Sequence, residues 1–229
     1  MKNFILGTVA VLALGIAGTL AAQPGSADVT RTEAGHRVGD PDAPVQLIEF
    51  MSYTCPHCGH FAKEADSALN LFYAGSGKVT VEYRPMVHDP VDLTVTMLVD
   101  CAGPQKFTAA HATFMERQDG WLGRYARTPA MQRQVWTDAP QSAERRRSIA
   151  SSLDLYPMVE PLGLDRITAD RCLSDQARAD ALLAAADANR AEFGVRGTPS
   201  FAMNGVLLAG THDWATLRPQ IDVRLPGSD

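Results

Sequence analysis

The stretch Val45-Gln46-Leu47-Ile48-Glu49-Phe50-Met51-Ser52-Tyr53-Thr54-Cys55-Pro56-His57-Cys58 decides the fold. Val45 to Tyr53 is mostly apolar and β-prone, which predicts a strand. Beyond the second cysteine, Phe61, Ala65, Leu69 and Phe72 recur at helical spacing, with Lys63, Glu64 and Asp66 elsewhere on the turn. The cysteines therefore sit at a strand-to-helix junction. Two thiols three positions apart can exchange between a dithiol and a disulfide. Cys55 falls where unpaired backbone N–H groups and the helix dipole favour negative charge, a placement that lowers a thiol pKa. Further on, Gly75-Ser76-Gly77 turns the chain. Val79, Val81 and Tyr83 then alternate with Thr80, Glu82 and Arg84 in a half-buried strand closed by Pro85. Strand, helix and strand make a β-α-β unit with parallel pairing, so the class is α/β.

Upstream, Lys2, an apolar stretch from Phe4 to Leu20 and Ala21-Ala22 have the layout of a cleavable signal peptide, with an uncleaved anchor as the alternative. Polar residues rich in Pro, Gly, Ser and Asp follow and predict a linker over 23–40 and an entry loop up to Pro44. The net charge of −5, and the lack of a basic stripe interleaved with aromatics, argue against nucleic acid as a partner. From about Pro90 to Arg190 the β-branched runs vanish. Helices are expected near Leu93–Ala102, Gln105–Gln118, Ala130–Trp136, Ser142–Leu153, Asp165–Leu173 and Asp175–Phe193, with Asp119-Gly120 closing the second of them. Ser200–Met203 and Val206–Ala209 flank Asn204-Gly205, a strong hairpin signal, and a last helix is expected over His212–Val223. The expected division is a signal peptide at 1–22, a linker at 23–40, an α/β domain split between 41–89 and 194–229, and an inserted helical domain at 90–193.

Several residues carry candidate chemistry. Cys55 and Cys58 could form half of a metal site, with His60 close by, but no second pair at ligand spacing accompanies them. Glu49 interrupts a strand pattern of the kind buried on both faces, where a carboxylate is costly unless paired or protonated; its alternative is a strand-end side chain reaching solvent. Cys101 and Cys172 belong to no close pair. In an exported chain an even leftover pair favours a bond between them, and closing a loop of roughly 70 residues would stabilise by about 4 kcal/mol. The alternative is two free buried cysteines. His111, Phe114, Trp121 and Trp136 read as packing residues, Arg145-Arg146-Arg147 as a solvated helix face, and His88 and His212 as lacking partners.

The segment Glu49 to Cys58, followed far downstream by Val195-Arg196-Gly197-Thr198-Pro199 and Asn204-Gly205, resembles the DsbA-type thiol-disulfide oxidoreductases. The resemblance runs from about Asp40 onward and is looser in the helical block. It implies a thioredoxin-like fold with an inserted helical domain, a periplasmic location, and oxidation of reduced exported polypeptides by a Cys55–Cys58 disulfide. By the same resemblance Cys55 attacks, Cys58 resolves, and His57 favours the Cys55 thiolate. Glu49 moves protons to and from the buried cysteine, and Thr198-Pro199 forms a cis bond beside the thiols. A DsbB-like membrane partner would reoxidise the protein, which acts as a monomer without metal or cofactor. Thr198 departs from the valine of the best-known DsbA and is shared with disulfide isomerases, which leaves an isomerase or reductase open. Known isomerases dimerise through an N-terminal domain, for which Gln23–Pro44 leaves little room.

Overall fold

The computed structural model describes residues 27–227, and the signal segment expected at 1–22 lies outside the described residues. The expected linker is corrected from Val29 onward. β1 (Val29–Arg31) and β2 (His36–Val38) pair antiparallel, and β2 continues the sheet. Each is only three residues long, too short for an alternating pattern to stand out among polar neighbours. They form because an existing strand edge and the buried Asp100 receive them. The Arg31 guanidinium reaches the Asp100 carboxylate at 3.2 Å, and Arg178 meets both of its oxygens at 2.7 and 2.9 Å.

β3 (Val45–Met51) and β4 (Val79–Pro85) run parallel, with Leu47 opposite Val81 and Glu49 opposite Tyr83. α1 (Pro56–Ala68) connects them. β5 (Ser200–Met203) and β6 (Val206–Leu207) form the expected hairpin, whose Asn204 and Gly205 have φ of 49° and 80°. Those positive angles are what a two-residue hairpin turn demands. The sheet order is β1-β2-β4-β3-β5-β6, so β3, which leads into the cysteine pair, is central.

α1 passes into a π-helical turn over Leu69–Ala74, seen in the bond from Gly75 N to Asn70 O at 3.0 Å. The wider turn rotates the helix face, so Phe72 is 74 % exposed rather than continuing the buried stripe of Phe61, Ala65 and Leu69.

Between β4 and β5 lie α2 (Pro90–Cys101), α3 (Phe107–Glu116), α4 (Gln118–Arg127), α5 (Ala130–Asp138), α6 (Ala143–Ser152), α7 (Tyr156–Val159), α8 (Arg166–Leu173) and α9 (Gln176–Phe193); α10 (Trp214–Asp222) follows the hairpin. α2 starts three residues before the expected Leu93. Asp89 caps it, accepting from Val91 N and Asp92 N, and Pro90 occupies the first turn, where proline's missing N–H costs nothing. Every residue from Val91 to Asp100 is buried, so α2 is the spine of the helical block. Asp119-Gly120 opens α4 instead of closing the preceding helix. The arginine run is also corrected. Arg145 and Arg146 are buried, with Arg145 bonded to the Trp136 and Ala139 carbonyls and Arg146 Nε to Leu173 O at 2.7 Å. These carbonyls belong to the ends of neighbouring helices, α5 six to nine residues back and α8 27 residues on, which is why a local polarity pattern misses them.

Cys101 at the end of α2 and Cys172 in α8 are bonded, with Cα atoms 6.0 Å apart. Replacing both by Ala should lower stability by about 2–4 kcal/mol in urea titrations. The Cys55 thiolate titration should not move, because the bridge lies in the helical block and makes no contact with the cysteine pair.

Candidate active site

Cys55 is the N-cap of α1, with extended backbone (φ −85°, ψ 116°), and Pro56 follows in the first turn. Both thiols are free. Cys55 is half-buried and Cys58, one turn inside, is fully buried. A bond from the Cys58 thiol to the Cys55 sulfur is the main cause that brings the Cys55 thiol down to about 5. Burial opposes it, while Thr198 and the main-chain N–H groups of Cys58 and His57 assist. Cys58 moves the opposite way: burial first, then its bond to Cys55, push its thiol well up. Ser52 N points at the Cys58 sulfur from 3.4 Å.

The Thr198–Pro199 peptide is cis, and the Cys55 thiol donates to Thr198 O at 3.2 Å. His57 and Pro199 line a groove of about 540 Å3 beside Cys55, together with His60, Phe61, Thr198 and His212. His60, a candidate metal ligand, instead pairs with Glu64 one turn along at 3.2 Å. Glu49 lies under the cysteine pair, fully buried, with neither carboxylate oxygen hydrogen-bonded. Burial, followed by the charge of Asp66, holds its carboxyl well above the usual range.

The two histidines read as partnerless both support this loop. His88 Nε2 lies 3.2 Å from Thr198 Oγ1. His212 Nδ1 donates to Pro199 O at 2.8 Å, since a carbonyl can only accept. Other residues of the site escaped the sequence reading. Asp92 accepts from Ser52 Oγ at 2.6 Å, Tyr53 N at 2.9 Å and His88 N at 3.0 Å. Asp89 accepts from Thr54 Oγ1 at 2.9 Å. Gln118 Nε2 donates to the carbonyls of Tyr53 and Cys55 at 2.8 and 2.9 Å. That close approach explains Gly59: a Cβ there would collide with the Gln118 amide, so the helix accepts a glycine that costs roughly 1 kcal/mol in propensity. The Asp89-Pro90 helix start was the one local signal pointing toward this cluster. Gln118 had none.

The thioredoxin family model matches residues 31–223. A solved structure described as a protein-disulfide isomerase from Novosphingobium aromaticivorans is 44% identical, with a TM-score of 0.80, covering 87% of this chain and 99% of that one. Wolbachia pipientis alpha-DsbA1 is 19% identical with a TM-score of 0.64, covering 84% of this chain and 91% of that one, and shows the same fold. A Rickettsia bellii protein named "Putative protein-disulfide oxidoreductase" is 25% identical over 74% of this chain and 56% of its own length. The chain thus spans about half the length of the curated relatives it matches.

The ultraviolet thiolate absorbance of the dithiol protein should persist down to about pH 5. Folding depresses this pKa, so the thiolate's stabilisation is complete above the unfolded value of about 8.5 and is lost as pH falls through the folded value. The dithiol protein should therefore lose melting temperature relative to Cys55→Ser between about pH 8.5 and about pH 5. Thr198→Val, which removes one hydroxyl, should move the titration upward. A Cys55 that titrates like free cysteine would contradict this account of the site.

Proposed function

Because this chain belongs to the thioredoxin family, we propose that it is a periplasmic thiol-disulfide oxidoreductase that donates a Cys55–Cys58 disulfide to reduced exported polypeptides. One observation carries the reading: the half-buried thiol at the α1 N-cap is held down to about 5 while its fully buried neighbour, three residues on, is pushed up. That asymmetry assigns the steps. A substrate thiolate attacks the Cys55 sulfur of the disulfide, the S–S bond breaks, and Cys58 leaves with the electron pair and takes up a proton. A second substrate thiolate then attacks the substrate's own sulfur, and Cys55 leaves as a thiolate. A low-pKa thiol is the better leaving group. The substrate is oxidised by two electrons and the protein reduced by two, which a DsbB-like membrane partner removes.

The remaining residues take roles around this exchange. Glu49 supplies the Cys58 proton, being a buried carboxyl held in its neutral form. Thr198 and Pro199 form the wall against which the substrate backbone lies, and His57 presents its N–H to the Cys55 sulfur and its ring to the groove. Export by a cleaved signal peptide and action as a monomer belong to the same reading. A disulfide isomerase is the second reading. Thr198 favours it, and so does the name of the Novosphingobium protein.

Direction of flow decides between them. A thiolate stabilised in the dithiol state leaves the disulfide a strong oxidant, DsbA itself being the standard example. The oxidised form should therefore melt below the reduced form, the reverse of a structural disulfide. His57→Ser keeps the main-chain donor and removes the ring. It should raise the Cys55 pKa, make the potential more reducing by about 30 mV per pKa unit, and narrow the stability gap. In glutathione buffer the protein should oxidise a dithiol peptide faster than it reshuffles scrambled ribonuclease. A more stable oxidised form with dominant reshuffling would establish the isomerase instead.

A further inference from the structure

Two polar side chains stand in a row beside Cys55. Thr198 O accepts the Cys55 thiol at 3.2 Å, and the Thr198 hydroxyl is among the donors to the Cys55 sulfur. The same hydroxyl lies 3.2 Å from His88 Nε2. His88 belongs to the turn between β4 and α2, and Asp92 holds its main-chain N–H at 3.0 Å. Its side chain is exposed, so the ring exchanges protons with water directly.

A hydroxyl has one hydrogen and two lone pairs, and a neutral imidazole nitrogen either donates or accepts. Where Nε2 carries a lone pair, Thr198 gives its hydrogen to His88 and leaves its own lone pairs free on the sulfur side. A hydroxyl in that state takes a proton on one side as it releases one on the other. Cys58 is fully buried and Cys55 half-buried, so a substrate sulfur reaches Cys55 from the groove, whose wall includes Thr198. The incoming thiol thus meets a hydroxyl backed by a base. Only a thiolate attacks a disulfide, and a free cysteine is ionised to a few per cent at neutral pH.

We propose that His88 is the base that deprotonates the substrate thiol, acting through the Thr198 hydroxyl. The substrate S–H proton passes to Thr198 Oγ1 as the hydroxyl hydrogen passes to His88 Nε2. The substrate sulfur bonds to Cys55, the Cys55–Cys58 bond breaks, and Cys58 keeps the electron pair. The imidazolium then gives its proton to water. Electrons move only among the sulfurs. Valine in place of Thr198 would lack the oxygen that this transfer needs. The ionisable groups tied to this turn and loop are Cys55 and His57 at the start of α1, Asp89 and Asp92 at the start of α2, Arg190 of α9 and His212 before α10. Among the described residues, His88 is the one imidazole bonded to Thr198 Oγ1.

The proposal rests on the oxidase reading. Stopped-flow reduction of the wild-type disulfide by a dithiol peptide tests that reading, and the ratio of wild type to His88→Gln tests this one. Glutamine keeps a partner for the Thr198 hydroxyl and takes up no proton. At neutral pH the variant should be slower by about tenfold, within the ceiling set by the few per cent of thiol already ionised. The ratio should close to unity well above the ordinary cysteine pKa of about 8.5, where no base is needed. The thiol para-mercaptobenzoate, ionised at neutral pH, should reduce both proteins at one rate. Thr198→Val should lose the same advantage, His88→Gln should cost nothing more in that background, and Thr198→Ser should restore the wild-type pH profile. The proposal is overturned if His88→Gln keeps the peptide rate at neutral pH, or if the two substitutions add. It is equally overturned if the deficit persists at high pH and with mercaptobenzoate, as a misplaced loop would give. A wild type that fails to oxidise the peptide overturns the oxidase reading, and the proposal with it.

Discussion

The site depends on one buried carboxylate. Asp92, in the first turn of α2, collects a hydroxyl and two main-chain N–H groups from Ser52, Tyr53 and His88. Those donors belong to the loop that carries the cysteines and the loop that carries His88. One side chain therefore fixes the β3–α1 junction to the β4–α2 junction. Burial pushes the Asp92 carboxyl up to about 6, against the pull of the three donors. Each donor left unpaired at such a depth would cost about 1–3 kcal/mol, so the arrangement is held by the expense of its alternatives. Around it, Gln118 secures the Tyr53 and Cys55 carbonyls, and Arg190 secures those of Met86 and Val87, both at 2.8 Å.

With the loop held in place, burial acts in opposite senses on neighbouring groups. It raises Cys58 and Glu49, which have no cationic partner to offset it. At Cys55 it is outweighed by donors converging on the sulfur. The difference between the thiols is thus deeper burial at Cys58, to which fuller access of Cys55 to N–H, S–H and hydroxyl donors adds, both set by a single helical turn. Cys55 sits at the cap, where donors are unused. Cys58 sits inside, where the helix has consumed its own.

The helical block contributes through this frame. α2 supplies Asp92, α3 supplies His111 and α4 supplies Gln118, while the Cys101–Cys172 bond and the Asp100 cluster tie the far end of α2 to α8, α9 and the N-terminal hairpin. The block therefore supports the active-site loop without lining the groove beside Cys55.

The sequence by itself determined the features that rest on local chemistry. The cysteine pair at a strand-to-helix junction, the parallel β-α-β unit and the Asn204-Gly205 hairpin all follow from period, propensity and turn geometry within a few residues. Even the anomaly of Glu49, a carboxylate in a strand, was visible there. Tertiary structure alone decided what those residues touch. His88 and His212 read as partnerless because Thr198 and Pro199 lie 110 and 13 residues away from them. The arginine run read as solvated because the carbonyls that bury it belong to helix ends. β1 and β2 read as linker because three-residue strands have no pattern without the edge that receives them. The π-turn that turns Phe72 outward has no signature in residue spacing, since a helical period assumes the very geometry that the turn breaks. Periodicity reports which face of an element is buried. Hydrogen bonds between elements depend on distances that only the packed chain defines.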